Sequence, residues 1–260
     1  MNVSVVLPSF NRARLLPITI PTYFQEDVSE VILVDDCSSD NTAEVVKELQ
    51  TRFPTLRYFR NEVNSKQPYT QNVAISKVQS EYIYFGDDDS VLYPGSIRNL
   101  LNVMREKNAD IVGGRALALF FPEQIDELDE FLSHYRNRIA TEANQIVDLS
   151  TLSTNFTYTV KEPIRVPFCH ASCLCKTQVA REMQFDVKEG NAYREETDFL
   201  IRATLAGYTI YYTSSANQIN LPSAMCSGGA RSKNHRHWAE NAIRNNDYFI
   251  DKNYDSMQKM

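Results

Sequence analysis

Three consecutive carboxylates, Asp87-Asp88-Asp89, are the residues of this sequence with the clearest capacity for chemistry. They follow an apolar segment, residues 82–85, that is predicted to be a strand, and α/β sheets bind ligands at the carboxyl ends of their strands. Residues 87 and 89 of an extended chain point the same way, so both carboxylates could bind Mg²⁺ or Mn²⁺ together with substrate phosphates. A solvated acidic turn, stabilised by the dipole of the helix expected from Pro94, explains the same residues.

A second acidic segment, residues 35–40, also lies between a predicted strand and a predicted helix. Asp40 has an ordinary local role there, because an Asp-Asn-Thr sequence is typical of a helix N-terminus. Asp36 has no such local role. Its carboxylate is therefore a candidate to accept a hydrogen bond from a base N–H or a ribose hydroxyl at the edge of the sheet.

The third acidic cluster is Arg194-Glu195-Glu196-Thr197-Asp198. Acidic residues in the first turn of a helix stabilise the helix dipole, and Asp198 is spaced to form a surface i,i+4 ion pair with Arg202. A structural role is the simpler interpretation of this cluster, and a catalytic carboxylate is the alternative.

The segment Ser227-Gly228-Gly229-Ala230-Arg231 offers backbone N–H groups and a guanidinium that suit a diphosphate. The chain contains neither G-x-x-x-x-G-K-[ST] nor G-x-G-x-x-G, which disfavours a P-loop ATPase and a Rossmann-type dinucleotide enzyme.

Cysteine and histidine residues raise the question of a zinc site at Cys169, Cys173 and Cys175, with His170. On one strand over residues 165–176 the thiols would share a face, which is also the pattern of a buried apolar stripe. Strand-borne zinc ligands normally need turn residues, so the stripe is favoured. His235 and His237 are other candidate ligands, but positions i and i+2 of a helix face different ways, so at most one is expected at a metal.

The candidate residues lie in a chain in which short apolar runs alternate with amphipathic stretches. This alternation predicts a Rossmann-like α/β sheet flanked by helices. In the first half, strands are predicted at residues 3–7, 31–34, 57–60, 82–85 and 110–112, and helices at 12–25, 43–53, 69–78 and 94–107. Pro17 and Pro21 predict that the first helix starts late or is kinked. After Gly113-Gly114 the predictions are helices at 123–139, 195–206 and 235–253 and strands at 165–176 and 208–213. We expect two halves, 1–115 and a smaller mixed region, 116–260, in one continuous globular unit.

Composition limits the functional class. The 260 residues, 43% hydrophobic and 23% charged, are typical of a soluble enzyme-sized domain and exclude a disordered or fibrous chain. A net charge of -6 gives no positive field, so nucleic acid is not the expected partner. No apolar run is long enough to span a membrane, the N-terminus lacks a signal-peptide pattern, and five cysteines without C-x-x-C suit a reducing compartment. The expectation is a cytoplasmic protein.

Taken in order, these segments resemble the inverting family-2 glycosyltransferases with the A-type, nucleotide-diphospho-sugar transferase fold, over about residues 3–212. Residues 5–12, V-V-L-P-S-F-N-R, are similar to the family's first strand and loop, which touch the nucleotide base. Residues 34–40 resemble its V-D-D-x-S-x-D segment, which implies that Asp36 holds the base. Residues 87–89 resemble the D-x-D motif, which implies that Asp87 faces the ribose and Asp89 the metal. The donor-binding residues implied are Pro8, Phe10, Asn11, Arg12, Asp36, Asp87, Asp88, Gly228, Gly229 and Arg231.

Residues 195–199 and 206–208 look like the family's E-D-x-D-L…A-G-Y stretch, whose second position commonly supplies the catalytic base. That position is Glu196 here, one methylene longer than Asp, and Glu195 and Asp198 stay as alternatives. Many relatives also carry a metal-binding His ahead of a G-G-x-R loop, where this chain has Asn220. The ligand that joins Asp89 at the metal is therefore Asn220, a water, His235 or His237.

The resemblance implies inverting transfer of a sugar from a UDP-, dTDP- or GDP-linked donor to a hydroxyl of a small-molecule, lipid-linked or glycan acceptor, with Mn²⁺ or Mg²⁺ as cofactor. Residues 1–115 would bind the nucleotide sugar, and 116–260 the acceptor and the base. A homodimer and a peripheral position at the inner face of a membrane fit this interpretation. A sugar nucleotidyltransferase is disfavoured because its Gly-rich, Arg-containing loop is missing after residues 3–7. A non-catalytic sugar-nucleotide or glycan-binding module is disfavoured by the joint presence of Asp36, Asp87, Asp89 and the acidic cluster at 195–198.

Overall fold

A nine-stranded, mostly parallel sheet forms the centre of the computed structural model, which describes residues 2–190, 194–226 and 235–259. In chain order the strands are β1 (Val3–Ser9), β2 (Val28–Asp35), β3 (Leu56–Arg60), β4 (Tyr82–Phe85), β5 (Ser90–Leu92), β6 (Ile111–Ala118), β7 (Val147–Asp148), β8 (Ser153–Thr154), β9 (Ile164–Arg165), β10 (Cys173–Lys176) and β11 (Ile210–Asn220). The strand order is β3-β2-β1-β4-β10-β6-β11-β5, β9 pairs with β11, and β7 and β8 form a separate hairpin. Strands β1 to β4 are parallel to one another, as the alternating pattern predicts.

Helices flank this sheet, so the predicted α/β fold class is confirmed. They are α1 (Leu16–Tyr23), α2 (Thr42–Arg52), α3 (Lys66–Lys77), α4 (Ser96–Glu106), α5 (Leu128–Ser133), α6 (Thr177–Met183), α7 (Glu195–Leu205) and α8 (His235–Met257), with 3₁₀ helices at Pro122–Glu127 and Ala143–Gln145. The late start of the first helix is confirmed, because Pro17 lies in its first turn, where the missing N–H has no intrahelical partner. None of the described helices combines the length and apolar character needed to cross a membrane.

Hydrophobic clusters cover both faces of the sheet. Val5 and Leu7 of β1 belong to one cluster and Val6 to the other, which is the period of two expected for a strand. Burial on both faces explains why β1 reads as a continuous apolar run. The carboxyl ends of β1, β2 and β4 are thereby held in one layer.

Two predicted elements are wrong. The helix expected over residues 123–139 is a 3₁₀ turn followed by the short α5, because Phe131 and Leu132 are the last buried apolar residues of this segment. The strand expected over 165–176 is split into β9 and β10 around Pro167, which has no N–H for a ladder.

The three cysteines of this segment are buried in a hydrophobic cluster without a disulfide, as expected for an apolar stripe. Cys169, however, lies before β10 and packs against Gly113 of β6. His170 accepts a hydrogen bond at Nδ1 from the backbone N–H of Ser172 (3.2 Å), and burial lowers its pKa to about 4.

Gly113 and Gly114 lie inside β6, so the predicted division after residue 115 falls within a strand. A Cβ at position 113 would lie 2.4 Å from the Cβ of Cys169, and one at position 114 would lie 2.6 Å from the carbonyl oxygen of Ala216. The two glycines permit close packing of β6 against its neighbours.

Gly114→Ala should therefore destabilise the fold by about 1 to 3 kcal/mol, since the contact is with backbone that cannot rotate away. Urea denaturation measures this difference. Gly190→Ala is the matched control, because its Cβ would meet its nearest atom at 3.7 Å, an ordinary contact. Equal unfolding midpoints for the two variants would contradict the packing explanation.

Candidate active site

The loops that follow β1, β2 and β4 are joined by hydrogen bonds at the carboxyl edge of the sheet. The backbone N–H of Asn11 donates to Ser38 Oγ (2.8 Å), and Asn11 Oδ1 accepts from the N–H of Ser39 (2.8 Å). Asn11 has a φ of 55°, a left-handed conformation that asparagine tolerates. Pro8 is half-buried at this edge, and the Phe10 ring is 42% exposed, which leaves an aromatic surface beside the loops.

Asp36 has a structural partner that the local sequence does not reveal. Its carboxylate accepts hydrogen bonds from the N–H groups of Ser65 (2.8 Å) and Lys66 (2.9 Å) and from Asn61 Nδ2 (2.9 Å). It thus fixes the N-terminus of α3, where a negative charge is favourable. Its predicted contact with a base stays a prediction.

Asp88 is compensated by Arg12, whose Nε lies 3.3 Å from Asp88 Oδ1. The positive charge of Arg12 partly offsets the repulsion among the adjacent carboxylates of residues 87–89. The Asp88 side chain is only 12% exposed. Burial raises the pKa of Asp88 to about 7, and Arg12 acts in the opposite direction.

Asp87 is held by residues that are distant in sequence. Its Oδ2 accepts hydrogen bonds from Ser172 Oγ (3.0 Å) and Gln218 Nε2 (2.7 Å). The Tyr84 hydroxyl donates to Gln218 Oε1 (2.9 Å), and the Tyr23 hydroxyl donates to the Asp87 carbonyl (2.8 Å). Sequence reasoning missed these four residues. No local pattern marked Gln218, because the strand predicted over residues 208–213 ends before it, whereas the observed β11 extends to Asn220.

Asp89 and Asn220 are brought together by the pairing of β5 with β11, in which Ser90 lies opposite Asn220. Ser90 Oγ donates to Asn220 Oδ1 (2.8 Å) and lies 3.5 Å from Asp89 Oδ1. Carboxylate and amide oxygens are hard donors, so this set fits Mg²⁺ or Mn²⁺. The predicted residues Gly228, Gly229 and Arg231, and the side chains of His235 and His237, lie outside what the structure describes.

The carboxylates of the first turn of α7 have different environments. Glu196 is partly exposed and its Oε1 accepts a hydrogen bond from Gln67 Nε2 (2.7 Å), whereas Glu195 is buried. Burial raises the pKa of Glu196 well above its ordinary value, and the nearby carboxylates of Glu195 and Asp87 act in the same direction. Gln67 lies in the first turn of α3, whose N-terminus is held by Asp36, so the α7 turn lies at the same edge of the sheet.

The expected i,i+4 ion pair of Asp198 with Arg202 is present, but its expected place at the surface is wrong. The Asp198 carboxylate is 0% exposed and accepts hydrogen bonds from Arg202 Nε (2.7 Å), Lys252 Nζ (3.0 Å) and Asn253 Nδ2 (2.9 Å). Because three donors surround it in the interior, Asp198 joins α7 to α8. Glu196 remains the partly exposed acid of the three.

Glu189 is a buried carboxyl near Asp198 for which the described residues supply no hydrogen-bond donor. Burial raises its pKa to about 8, the carboxylates of Asp198, Asp186 and Glu195 act in the same direction, and Lys252 opposes them. Since the proton is bound more tightly in the folded state, stability from this group is fully present below the ordinary Glu pKa and is lost as the pH rises through about 8.

Glu189→Gln should remove this dependence. Each pKa unit corresponds to about 1.4 kcal/mol, so we expect the variant to gain at least about 2 kcal/mol relative to wild type between about pH 5 and about pH 8.5. Chemical denaturation of both proteins across this range measures the difference, in which the titrations of groups distant from Glu189 cancel. Parallel stability curves would contradict a neutral Glu189.

Comparison with known proteins supports the same family. The sequence profile described as Glycosyl transferase family 2 matches residues 4–173. The GalNAc(5)-diNAcBac-PP-undecaprenol beta-1,3-glucosyltransferase of Campylobacter jejuni is 33% identical over 114 residues, which cover 43% of this chain and 37% of that protein. The chain thus spans well under half the length of this relative.

Two solved structures share the fold. S. aureus TarS 1-349 in complex with UDP-GlcNAc has a TM-score of 0.62 at 18% identity, and the match covers 93% of this chain and 64% of that one. Mannosyltransferase PcManGT from Pyrobaculum calidifontis, in complex with GDP-Man and Mn²⁺, has a TM-score of 0.59 at 17% identity, with coverage of 84% and 56%. These likenesses confirm the A-type glycosyltransferase fold. Because the family profile also matches well over half of the residues, the chain belongs to glycosyl transferase family 2.

Proposed function

We propose that this chain transfers a sugar from a nucleoside-diphosphate donor to an acceptor hydroxyl, with inversion at the anomeric carbon and assistance from Mn²⁺ or Mg²⁺. The proposal is carried by two acidic groups at one edge of the sheet. Asp87 and Asp89 follow β4, and Glu196 accepts a hydrogen bond from Gln67 in the first turn of α3. The N-terminus of that helix is held at the same edge by Asp36. UDP-GlcNAc and GDP-Man with Mn²⁺ in the structural neighbours support a nucleotide-sugar donor.

In this proposal the donor is bound mainly by the edge of the sheet. Asp87, oriented by Ser172 and Gln218, accepts hydrogen bonds from the ribose hydroxyls. Asp36 keeps the neighbouring α3 terminus in place and contacts the base, beside the exposed ring of Phe10. Residues of 116–260 thus orient a carboxylate of 1–115, and the proposed nucleotide-binding half depends on the second half.

Asp89 and Asn220 would hold the divalent cation, which supplies charge compensation for the diphosphate when bound. Of the other candidate ligands, His235 and His237 remain open. The proposed roles of Gly228, Gly229 and Arg231 at the diphosphate also remain predictions.

Glu196 is the proposed general base. The acceptor oxygen attacks the anomeric carbon, its proton passes to the Glu196 carboxylate, and the bond to the diphosphate breaks on the opposite face, which inverts the centre. A raised pKa makes the ionised carboxylate a stronger proton acceptor. Gln67 fixes one oxygen of this carboxylate.

A lipid-linked or glycan acceptor is our proposal for the second substrate. The Campylobacter jejuni relative is named for a polyprenyl-linked glycan. Such an acceptor would place the reaction at the cytoplasmic face of a membrane. A homodimer is a further expectation.

A transfer assay tests this function. The purified chain is incubated with UDP-, dTDP- and GDP-linked sugars, Mn²⁺ and a panel of glycan and lipid-linked acceptors, and the anomeric configuration of the product is read by NMR. We expect one donor class to give an inverted glycoside. Formation of a nucleotide sugar from a sugar phosphate and a nucleoside triphosphate would instead indicate a nucleotidyltransferase. Donor binding without product from any acceptor would indicate a binding module.

A further inference from the structure

An ionic cluster lies behind the first turn of α7, outside the residues assigned to substrate. It consists of Asp186, Glu189 and Asp198 around the ammonium group of Lys252. Lys252 Nζ lies 2.7 Å from Asp186 Oδ2, 2.9 Å from Asp198 Oδ1 and 3.9 Å from Glu189 Oε1. The Lys252 side chain is 25% exposed, and its ammonium group lies among the acids.

The cluster is balanced by protein charges. Ligand atoms of its three carboxyl groups lie within 4.8 Å of one another, a spacing that a metal ion could bridge. The ammonium of Lys252 contacts all three groups, however, and Arg202 pairs with Asp198. With Glu189 protonated, two carboxylates face two cations. The arrangement therefore fits a tether between α8 and α7 better than a metal centre.

Further contacts from α8 hold the residues that precede the α7 acids. Arg194 has a φ of 78°, a left-handed conformation that costs a non-glycine residue free energy. Its Nε donates to Asn246 Oδ1 (3.1 Å), and its guanidinium lies 5.5 Å from the centre of the Phe249 ring. Asn245 Nδ2 donates to the carbonyl of Gly190 (2.6 Å). One face of α8 thus contacts both the segment before α7 and its first turn.

We propose that Lys252 and Asn246 of α8 are positioning residues for the catalytic turn, and that they set the direction of Glu196 through Asp198 and Arg194. This inference rests on the proposed function of Glu196. The strained backbone at Arg194 directly precedes Glu195 and Glu196, so a loss of the α8 contacts lets this turn relax. Donor-binding residues at the β4 edge make none of these contacts and keep their positions.

Amide hydrogen exchange tests whether the α8 contacts hold the first turn of α7, and it does so without an activity measurement. In Lys252→Met we expect peptides that cover residues 195–200 to exchange at least about tenfold faster, while peptides from β1 and α3 are unchanged. Lys252→Arg should restore protection, because it keeps a cation at the cluster. If Lys252→Met fails to fold, Asn246→Ala gives the same readout, since it removes one contact without leaving a buried charge. Unchanged exchange at residues 195–200 in a folded variant overturns the proposal.

Kinetics give the second readout. Lys252→Met should lower kcat at least about tenfold and leave the KM for donor within about twofold, because small displacements of a reacting group reduce the chemical step. Lys259→Met is the surface control, expected to match wild type. A folded Lys252→Met enzyme with wild-type kcat overturns the positioning role even if exchange rises. The two proposals can fail separately. If exchange differs between Lys252→Met and Lys252→Arg but the wild-type chain transfers no sugar, the positioning contacts of α8 stand and the proposed function is refuted.

Discussion

Asp89→Ala is expected to abolish divalent-dependent sugar transfer, with a loss of at least about a hundredfold, and to leave the fold intact. The reason is that Asp89 supplies the carboxylate beside Asn220, and without it the diphosphate loses the charge compensation that favours its departure. The rate as a function of Mn²⁺ concentration measures the effect. Mn²⁺ retention in the presence of nucleotide, followed by electron paramagnetic resonance, gives a readout that does not depend on turnover.

Glu123→Gln provides the matched control, because Glu123 is an exposed acid in the 3₁₀ helix Pro122–Glu127. It should retain wild-type rate and Mn²⁺ retention. Wild-type activity of Asp89→Ala at saturating metal would show that the assignment of Asp89 is wrong.

Glu196→Gln is expected to slow transfer by roughly 10² to 10⁴, because it removes the proposed general base. The variant should bind donor normally and melt within a few degrees of wild type, since Glu196 is partly exposed and its hydrogen bond from Gln67 can be replaced by one to the glutamine oxygen. Pre-steady-state kinetics at saturating donor separate the chemical step from binding.

Glu195→Gln and Asp198→Asn should be measured beside it. Asp198→Asn removes the charge that faces Lys252 and Arg202 in the interior, so its main effect should be a loss of stability of roughly 3 to 5 kcal/mol. A large rate loss confined to Glu195→Gln would identify Glu195 as the general base instead of Glu196. Wild-type rates in all three variants would show that none of these α7 acids is the general base.

Local patterns predicted the elements whose signals are contained in a few neighbouring residues. The continuous apolar run of β1 reflects burial on both faces, and Pro17 marks the start of α1 because proline suits a first turn. Asp87 and Asp89 were located by their place after a strand. These signals need no knowledge of the rest of the chain.

Long-range contacts could not be predicted in the same way. Ser172 and Gln218 meet Asp87 only after β10 and β11 join the sheet, and Lys252 meets Asp198 only when α8 packs on α7. The structural role of Asp36 could not be predicted for the same reason, because its hydrogen-bond donors lie at the start of α3. Local sequence predicts that the acids follow a strand, whereas the residues that contact them are determined by the tertiary fold.

We expect the edge of the sheet at Asp87 and Asp89 to bind a nucleoside diphosphate together with a divalent cation. Calorimetric titration of UDP, dTDP and GDP into the wild-type chain, with Mn²⁺ and again with EDTA, tests it most directly. We predict saturable one-site binding of at least one of these nucleotides with Mn²⁺ and a loss of affinity of at least about tenfold with EDTA. Absence of binding for all three nucleotides in the presence of Mn²⁺, or equal affinities with Mn²⁺ and with EDTA, would show that this edge is not a metal-dependent nucleotide site.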